Sequence, residues 1–196
     1  MREVMISVQP KWCELIANGK KTVEVRKTKP KCDVPFKVYI YCTNNGGTLH
    51  MAYDGLHYHK SYFGRNDGSC INGKVIGEFV CDAVEHYTSN CTVFESVLLP
   101  SPSELEEMCL TLDEFNGYGT RGKLLYGWHI SDLVIYDKPR ELGEFYTRCY
   151  SGCKNCKYES WDYDLGGGKD IICIVSNKKP IARPPQSWCY AKGGEE

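Results

Sequence analysis

Alternating apolar and polar positions near the start of the chain predict three strands around one helix. Residues 10–19 carry Pro10 at the first position, apolar residues spaced three or four apart, and Gly19 at the end, which is typical of a short amphipathic helix. The apolar and alternating stretches on either side predict strands over residues 4–8, 21–27 and 36–43. A strand therefore leads into a short helix, and two further strands follow.

The centre of the chain divides into an irregular stretch and one strong strand. Residues 44–73 are rich in Gly, Asn, His and Tyr without a sustained period, which predicts a long surface excursion or an irregular hairpin. Within it, His57 and His59 lie on one side of an extended segment, a placement that permits metal binding but does not specify it. Residues 73–87 alternate clearly and predict a strand in which Glu78 lies among apolar neighbours.

Helix and strand signals return after residue 100. Two capping-box patterns predict one or two short acidic helices, the first from Ser103 with Glu106 and the second from Thr111 with Glu114. Residues 124–139 then regain strand character, with a bulge expected near Ser131 and Asp132. Short strands with few helices, and no regular alternation of strand and helix, favour a small mixed α+β barrel over a parallel sheet.

Composition limits the location of the protein and the kind of partner that it binds. The 196 residues carry a net charge of -1, so the chain as a whole is not suited to coating polyanions, and contact with nucleic acid would need a local basic patch. No apolar run is long enough to cross a membrane, and the first residues lack the pattern of a secretory signal. We therefore expect a cytoplasmic protein with no membrane segment.

A local basic patch does occur early in the chain. From Lys11 to Lys31 there are seven Lys or Arg residues against two glutamates, Glu14 and Glu24. These cations could contact phosphates, and Trp12, Tyr39 and Tyr41 could offer stacking surfaces for bases. The alternative is a solvated strand edge, because lysines also protect edge strands from pairing with other chains.

The spacing within this patch is more specific than its charge. Gly19, Lys21, Glu24 and Arg26 form the pattern G-x-K-x-x-E-x-R, which resembles the hallmark of the ASCH family within the PUA-like superfamily. The segments P-K-W, G-K-V-I-G-E-F and G-W-H-I-S-D-L occur in the order of an ASCH domain, so the resemblance covers about residues 1–145. It implies a PUA-like pseudobarrel with short flanking helices and a cleft that holds RNA or a modified nucleotide.

The resemblance also implies candidate catalytic residues. Some ASCH proteins are amidohydrolases that deacylate cytidine acylated on its exocyclic nitrogen, using a lysine, a threonine and a glutamate in the cleft. Lys21 matches the lysine and Glu78 the glutamate, but Glu24 stands where the threonine is expected. A glutamate close to Lys21 should raise the pKa of the lysine and keep it charged, which suits orienting a polar ligand better than nucleophilic attack. Glu24 could still act as a general base on water, with Lys21 or Arg26 stabilising an oxyanion.

Two overlapping sets of site residues follow from these patterns. The catalytic set is Lys21, Glu24 and Glu78, and the RNA- or nucleotide-binding set is Lys11, Trp12, Lys21, Glu24, Arg26, Lys27, Tyr41 and Trp128. A purely structural ion pair between Glu24 and Arg26 is the alternative interpretation of the motif.

Three functions are compatible with the sequence. The preferred one is binding of RNA or of a modified nucleoside or nucleotide. The second is hydrolysis of acylated cytidine or of another nucleic-acid substrate. The third is a protein-interaction module that uses residues 44–73 and 103–114, with a partner that the sequence does not identify.

A change in composition near residue 141 separates a domain of residues 1–145 from a cysteine-rich C-terminal extension of residues 146–196. The extension contains the motifs C-x-x-C and R-P-P-Q-S-W-C-Y, and with them it resembles the tail of a subgroup of small bacterial and phage ASCH proteins. Its C-x-x-C knuckle and two later cysteines predict a structural zinc site with the ligands Cys153, Cys156, Cys173 and Cys189. Bound zinc would stabilise a segment that is poor in apolar residues. Unliganded buried thiols and a redox pair are the alternatives.

Overall fold

The structure is a computed structural model that describes residues 1–60, 69–89, 98–119, 123–147, 159–160, 172–173 and 180–193. The strands in these ranges are β1 (Glu3–Val8), β2 (Val23–Arg26), β3 (Phe36–Cys42), β4 (Thr48–Ala52), β5 (Gly55–His59), β6 (Lys74–Cys81), β7 (Val84–Thr88), β8 (Leu124–His129), β9 (Ser131–Glu141), β10 (Phe145–Thr147), β11 (Glu159–Ser160), β12 (Ile172–Cys173) and β13 (Trp188–Gly193). The helices are α1 (Pro10–Ala17), α2 (Pro102–Met108) and α3 (Leu112–Tyr118), with a short 3-10 helix at Leu142–Glu144. None of the helices described is long and apolar enough to cross a membrane.

Six strands form the main sheet, in the order β10-β13-β1-β3-β6-β9. β1 runs parallel to β3, and the other neighbouring strands of this sheet are antiparallel. A second sheet has the order β2-β8-β7, and β4 pairs with β5 in a separate hairpin. This arrangement confirms the predicted mixed α+β fold.

The main sheet carries an apolar cluster on each face, because successive side chains of a strand point to opposite sides. The inner core includes Val38, Ile40, Phe79 and Trp128 and also receives α1 and the β4–β5 hairpin. The outer cluster, on the opposite face, contains Met5, Tyr39, Tyr41, Val75, Phe145, Ile181 and Ala191. A third group, the helix cluster, joins the second sheet to α2 and α3 through Val23, Val25, Tyr87, Met108, Phe115 and Leu125.

Two predicted elements differ from the structure. The helix expected to begin at Ser103 is capped instead by Ser101, whose side chain accepts a hydrogen bond from the backbone of Glu104. Pro102 occupies the first helical position, which proline favours because its ring fixes a helical φ. The single strand expected over residues 73–87 is divided between β6 and β7, which belong to different sheets.

Other local predictions are confirmed. Thr111 and Glu114 form the capping box of α3. The bulge expected in the last long strand lies in β9, where Asp132 has a φ of 47° and the register against β6 shifts. The irregular stretch of residues 44–73 contains the β4–β5 hairpin, as one of its two interpretations predicted.

The last strand connects the predicted extension to the main sheet. β13 lies between β10 and β1, and Cys189 of β13 is directly opposite Met5 of β1. The Trp188 Nε1–H also donates a hydrogen bond of 2.8 Å to the Thr28 hydroxyl. Residues 188–193 therefore belong to the same sheet as β1, although they lie beyond the boundary expected at residue 145.

Candidate functional site

A cavity of about 480 Å³ opens where β1 ends, beside α1 and β2. Its lining includes Trp12, Lys21, Glu24, Arg26, Glu114 and Tyr118. Cavities that bind small molecules commonly measure about 300–1,000 Å³, so this one has room for a nucleoside. The four sequence-predicted residues Trp12, Lys21, Glu24 and Arg26 are thus brought together at one place.

The alternation of β2 explains why its charged residues share the cavity. Val23 and Val25 pack into the helix cluster, so Glu24 and Arg26 point to the other face of the strand. In the pairing with β8, Glu24 lies opposite the buried Trp128. Glu24 is itself only 7% exposed, and charge interactions at such a buried position are stronger than in water.

The turn between α1 and β2 places Lys21. Gly19 has a φ of +67°, a left-handed conformation that glycine adopts without steric cost, and the Lys21 N–H donates to the Leu15 carbonyl at 3.0 Å. The Lys21 side chain then donates to the Met108 carbonyl, at the end of α2, at 2.5 Å. Its Nζ also lies 5.2 Å from the centre of the Trp12 ring.

Glu24 is held between two cations. Its Oε1 lies 2.8 Å from Arg26 Nη2, and its Oε2 lies 3.5 Å from Lys21 Nζ. The three residues are only 3% (Lys21), 7% (Glu24) and 5% (Arg26) exposed. Two cations facing one carboxylate leave this buried triad with an excess of positive charge, which favours a ligand that presents acceptor atoms.

Burial lowers the pKa of Lys21, and the opposing effect of Glu24 is smaller. The raised pKa expected from the sequence is therefore wrong, because that reasoning counted the neighbouring carboxylate and not the loss of solvent around a buried ammonium. Lys21 consequently gives up its proton more easily than an exposed lysine does.

Arg26 is fixed by backbone carbonyls as well as by Glu24. Its Nη2 donates to the Ser7 carbonyl at 2.9 Å, and its Nη1 donates to the Ser187 carbonyl at 3.2 Å. These contacts connect β2 to the end of β1 and to the segment before β13. The buried Nε has no hydrogen-bond partner among the described residues.

Two aromatic rings on the cavity wall each carry a lysine at the rim. Lys11 Nζ lies 4.4 Å from the centre of the Trp12 ring, and Lys27 Nζ lies 4.8 Å from the centre of the Tyr118 ring. Lys11 and Lys27 are exposed. Tyr118 was not predicted as a site residue, because it lies at the end of α3, more than 90 residues from the motif. The only sequence signal near it is the capping box that starts its helix.

A comparison with known protein families identifies the domain. The sequence profile of the ASCH domain matches residues 6–160, which is most of the chain. This protein belongs to the ASCH family. No curated protein matches the chain.

Two solved structures of ASCH from Zymomonas mobilis are similar to this chain. The crystal structure of ASCH from Zymomonas mobilis is 20% identical, with 72% of this chain and 74% of that chain covered and a TM-score of 0.46. A single-substitution variant of the Zymomonas protein is 16% identical, with 96% of this chain and 87% of that chain covered and a TM-score of 0.53. The second likeness, whose TM-score is above 0.5, shows the fold alone at this identity.

Two aromatic residues predicted to contact a base lie away from the cavity of this ASCH domain. Trp128 is 0% exposed and packs edge to face against Phe36, with ring centres 5.2 Å apart. Tyr41 is 4% exposed and lies in the outer cluster. The structure does not place either ring where a base could stack on it. The prediction failed because strand alternation alone does not show which face of a strand is the core.

Glu78 also lies outside the cavity. It is opposite Tyr39 in the pairing of β6 with β3, and this places it on the outer-cluster face of the main sheet. Its carboxylate accepts hydrogen bonds of 2.7 Å from Lys37 Nζ and from the Tyr136 hydroxyl. Burial and the Glu78 carboxylate raise the pKa of Tyr136. The structure therefore does not bring Glu78 to Lys21 and Glu24.

The predicted zinc ligands fall mostly outside the described residues. Cys153 and Cys156 lie in a range that the structure does not describe, and Cys173 is described only as part of the backbone of β12. Cys189 is a free cysteine packed against the outer cluster, where burial raises its pKa to about 11. No group of three or more His, Cys, Asp or Glu residues that could hold a metal is found in the part of the chain that the structure describes.

Proposed function

We propose that this ASCH domain binds a nucleoside or nucleotide unit of RNA, with the base in the cavity against the buried triad of Lys21, Glu24 and Arg26. The observation that carries the proposal is the triad itself, because three buried charged side chains line a cavity of nucleoside size. Trp12 and Tyr118 supply aromatic surface there, and bases stack on such rings in single-stranded RNA recognition.

The triad keeps hydrogen-bonding capacity for a ligand. A lysine ammonium has three N–H donors, and Lys21 uses one on the Met108 carbonyl and one towards Glu24. Each oxygen of Glu24 faces one cation and can accept a further hydrogen bond. The Glu24 carboxylate is thus an acceptor beside the Lys21 ammonium, which is a donor. This pair matches a base that has an exocyclic amine next to a ring nitrogen or carbonyl acceptor, as cytosine does.

The rim suits a polynucleotide better than a free base. Lys11 and Lys27 are exposed at the two aromatic walls, where their ammonium groups can reach phosphates on either side of a bound nucleotide. A contribution from these lysines makes the affinity for RNA decrease with salt, whereas contacts inside the cavity are screened less.

The test is a calorimetric titration of the full chain with cytidine 5′-monophosphate and with a short cytidine-containing RNA. Lys21→Gln should weaken binding of both by about 10-fold to 100-fold, since a hydrogen bond to a charged group contributes about 1.5–3 kcal/mol. The matched control is Lys20→Gln, because Lys20 is exposed and does not line the cavity. Equal affinities for the two variants, with circular dichroism showing both folded, would contradict the proposal.

A second candidate, hydrolysis of an acylated exocyclic amine, is favoured by one observation. Lys21 has a lowered pKa and lies 3.5 Å from a carboxylate in the same cavity. In this reaction Glu24 takes a proton from water, and the hydroxide adds to the amide carbonyl while Lys21 stabilises the oxyanion. Glu24 then returns the proton to the nitrogen as the C–N bond breaks, which releases the carboxylic acid and the free amine.

Incubation with 4-acetylcytidine, followed by chromatography for cytidine, separates the two candidates. Release of cytidine by the wild-type chain, with Glu24→Gln inactive and Lys20→Gln active, supports hydrolysis. Binding without release supports the first candidate alone.

A further inference from the structure

The outer face of the β4–β5 hairpin carries three histidines. Leu49 and Leu56 of this hairpin pack into the inner core, so the alternate residues His50, His57 and His59 lie on the opposite face. His50 is directly opposite His57, and His59 lies two residues further along β5. None of the three lines the cavity beside Lys21.

Two of these imidazoles are spaced as a metal chelate requires. The ring centres of His50 and His59 are 5.3 Å apart, and the ring planes are inclined by 75°. Two imidazoles that bind one tetrahedral ion through metal–nitrogen bonds of about 2.0–2.1 Å have ring centres about 5 Å apart. The observed separation therefore matches that of two imidazoles on one ion, with side-chain rotation directing one nitrogen of each ring to the metal.

Hydrogen bonds distinguish these rings from their neighbours. His50 Nδ1 is 2.8 Å from the Ser69 hydroxyl, which leaves Nε2 available, and metal-binding histidines commonly use their second nitrogen in this way. His57 Nε2 is engaged by Asp54 Oδ1 at 2.9 Å. The thiol of Cys70, opposite His50 on its other side, is directed to Asn72 Oδ1 at 3.6 Å.

We propose that His50 and His59 form a two-histidine chelate for a borderline transition-metal ion such as Zn²⁺ or Ni²⁺. Neutral imidazole is a preferred ligand of these ions. Water completes the coordination, because within the described ranges no third protein donor converges with the pair. Neither histidine lines the cavity beside Lys21, and the bound ion would crosslink two adjacent strands of the hairpin.

The experiment is a calorimetric titration of the full chain with Ni²⁺, repeated for single variants of the hairpin. His50→Asn and His59→Asn should each lose one Ni²⁺ site or weaken it at least about 10-fold, because a chelate needs both ligands. Ser69→Ala should weaken the same site by about 10-fold, as loss of an outer-shell partner does. Any Ni²⁺ held by cysteines is unaffected by these changes and cancels in the comparison.

The matched control is His57→Asn, which removes a histidine from the same face and should leave the affinity within about threefold of wild type. Unchanged Ni²⁺ binding in both His50→Asn and His59→Asn would overturn the proposal, and so would an equal loss in His57→Asn. If a variant does not fold, the substitute measurement is nitrogen NMR of the histidine side chains in the wild-type chain, with and without Zn²⁺. Shifts confined to His50 and His59 support the chelate, and any other pattern refutes it.

Discussion

Replacing Glu24 by glutamine tests the triad at its centre. The carboxylate is 7% exposed and lies 2.8 Å from Arg26 Nη2 and 3.5 Å from Lys21 Nζ. Glutamine keeps the size of the side chain and can still accept a hydrogen bond from Arg26. It removes the negative charge, however, and so leaves two buried cations without a counter-ion.

The expected loss of stability is large. Removing one partner of a buried ion pair typically costs about 3–5 kcal/mol, because the remaining charge stays desolvated and uncompensated. Since glutamine retains one hydrogen bond, we expect the lower end, about 3 kcal/mol. For a chain of this size that corresponds to a decrease in Tm of about 6–12 °C. The effect is a substantial part of a total stability of about 5–15 kcal/mol.

Urea denaturation followed by tryptophan fluorescence measures this loss, with Lys74→Gln as the control. Lys74 forms an ion pair of 3.0 Å with Glu141, but the two side chains are 37% and 67% exposed, so breaking that pair should cost no more than about 1 kcal/mol. The double variant of Glu24→Gln with Arg26→Gln should be less destabilised than the sum of the single changes, by about 1 kcal/mol or more. If Glu24→Gln is no more destabilising than Lys74→Gln, the reasoning about the buried triad is refuted.

Three further predictions concern single residues. The pKa of Lys21 is lower in the folded protein than the ordinary 10.5, so the unfolded chain binds the proton more tightly. The free energy of unfolding should therefore rise as the pH increases from the folded-state pKa of Lys21 to 10.5. Urea midpoints measured across this pH range should show the rise in the wild type and not in Lys21→Gln. Trp128→Ala should lower the free energy of unfolding by about 3–5 kcal/mol, because it empties a fully buried position, and a loss below about 1 kcal/mol would show that the ring is not in the core. Glu78→Gln should leave nucleotide affinity unchanged in calorimetry, since Glu78 bonds to Lys37 and Tyr136 outside the cavity; weaker binding would argue for a role in the site.

Much of the local structure could be predicted because its signals lie close together in the sequence. Pro10 and Gly19 mark the two ends of one short helix, and Thr111 with Glu114 marks the start of another. The motif residues Lys21, Glu24 and Arg26 lie within six positions, so a turn and one strand are enough to place them together. Strand periodicity, helix capping and motif spacing are all short-range properties.

The remaining features depend on contacts between distant segments. Tyr118 reaches the cavity only because α2 and α3 pack on the second sheet, and no spacing in the sequence indicates that approach. Alternation shows that Trp128 and His129 point to opposite sides of β8 but not which side faces the core. Glu78 was assigned to the site from the family resemblance, and the face of β6 that it occupies depends on the pairing with β3, which the motif does not show.

The place of β13 in the main sheet has a consequence for synthesis of the chain. Val4 pairs with Tyr190, so β1 is synthesised long before the strand that pairs with it, and the sheet cannot close until β13 has been made. During that interval β1 exposes one row of backbone N–H and C=O groups, which can pair with any other extended chain nearby. Pairings between such distant segments also form slowly. Until residues 188–193 have been added, that edge of β1 therefore lacks its native partner.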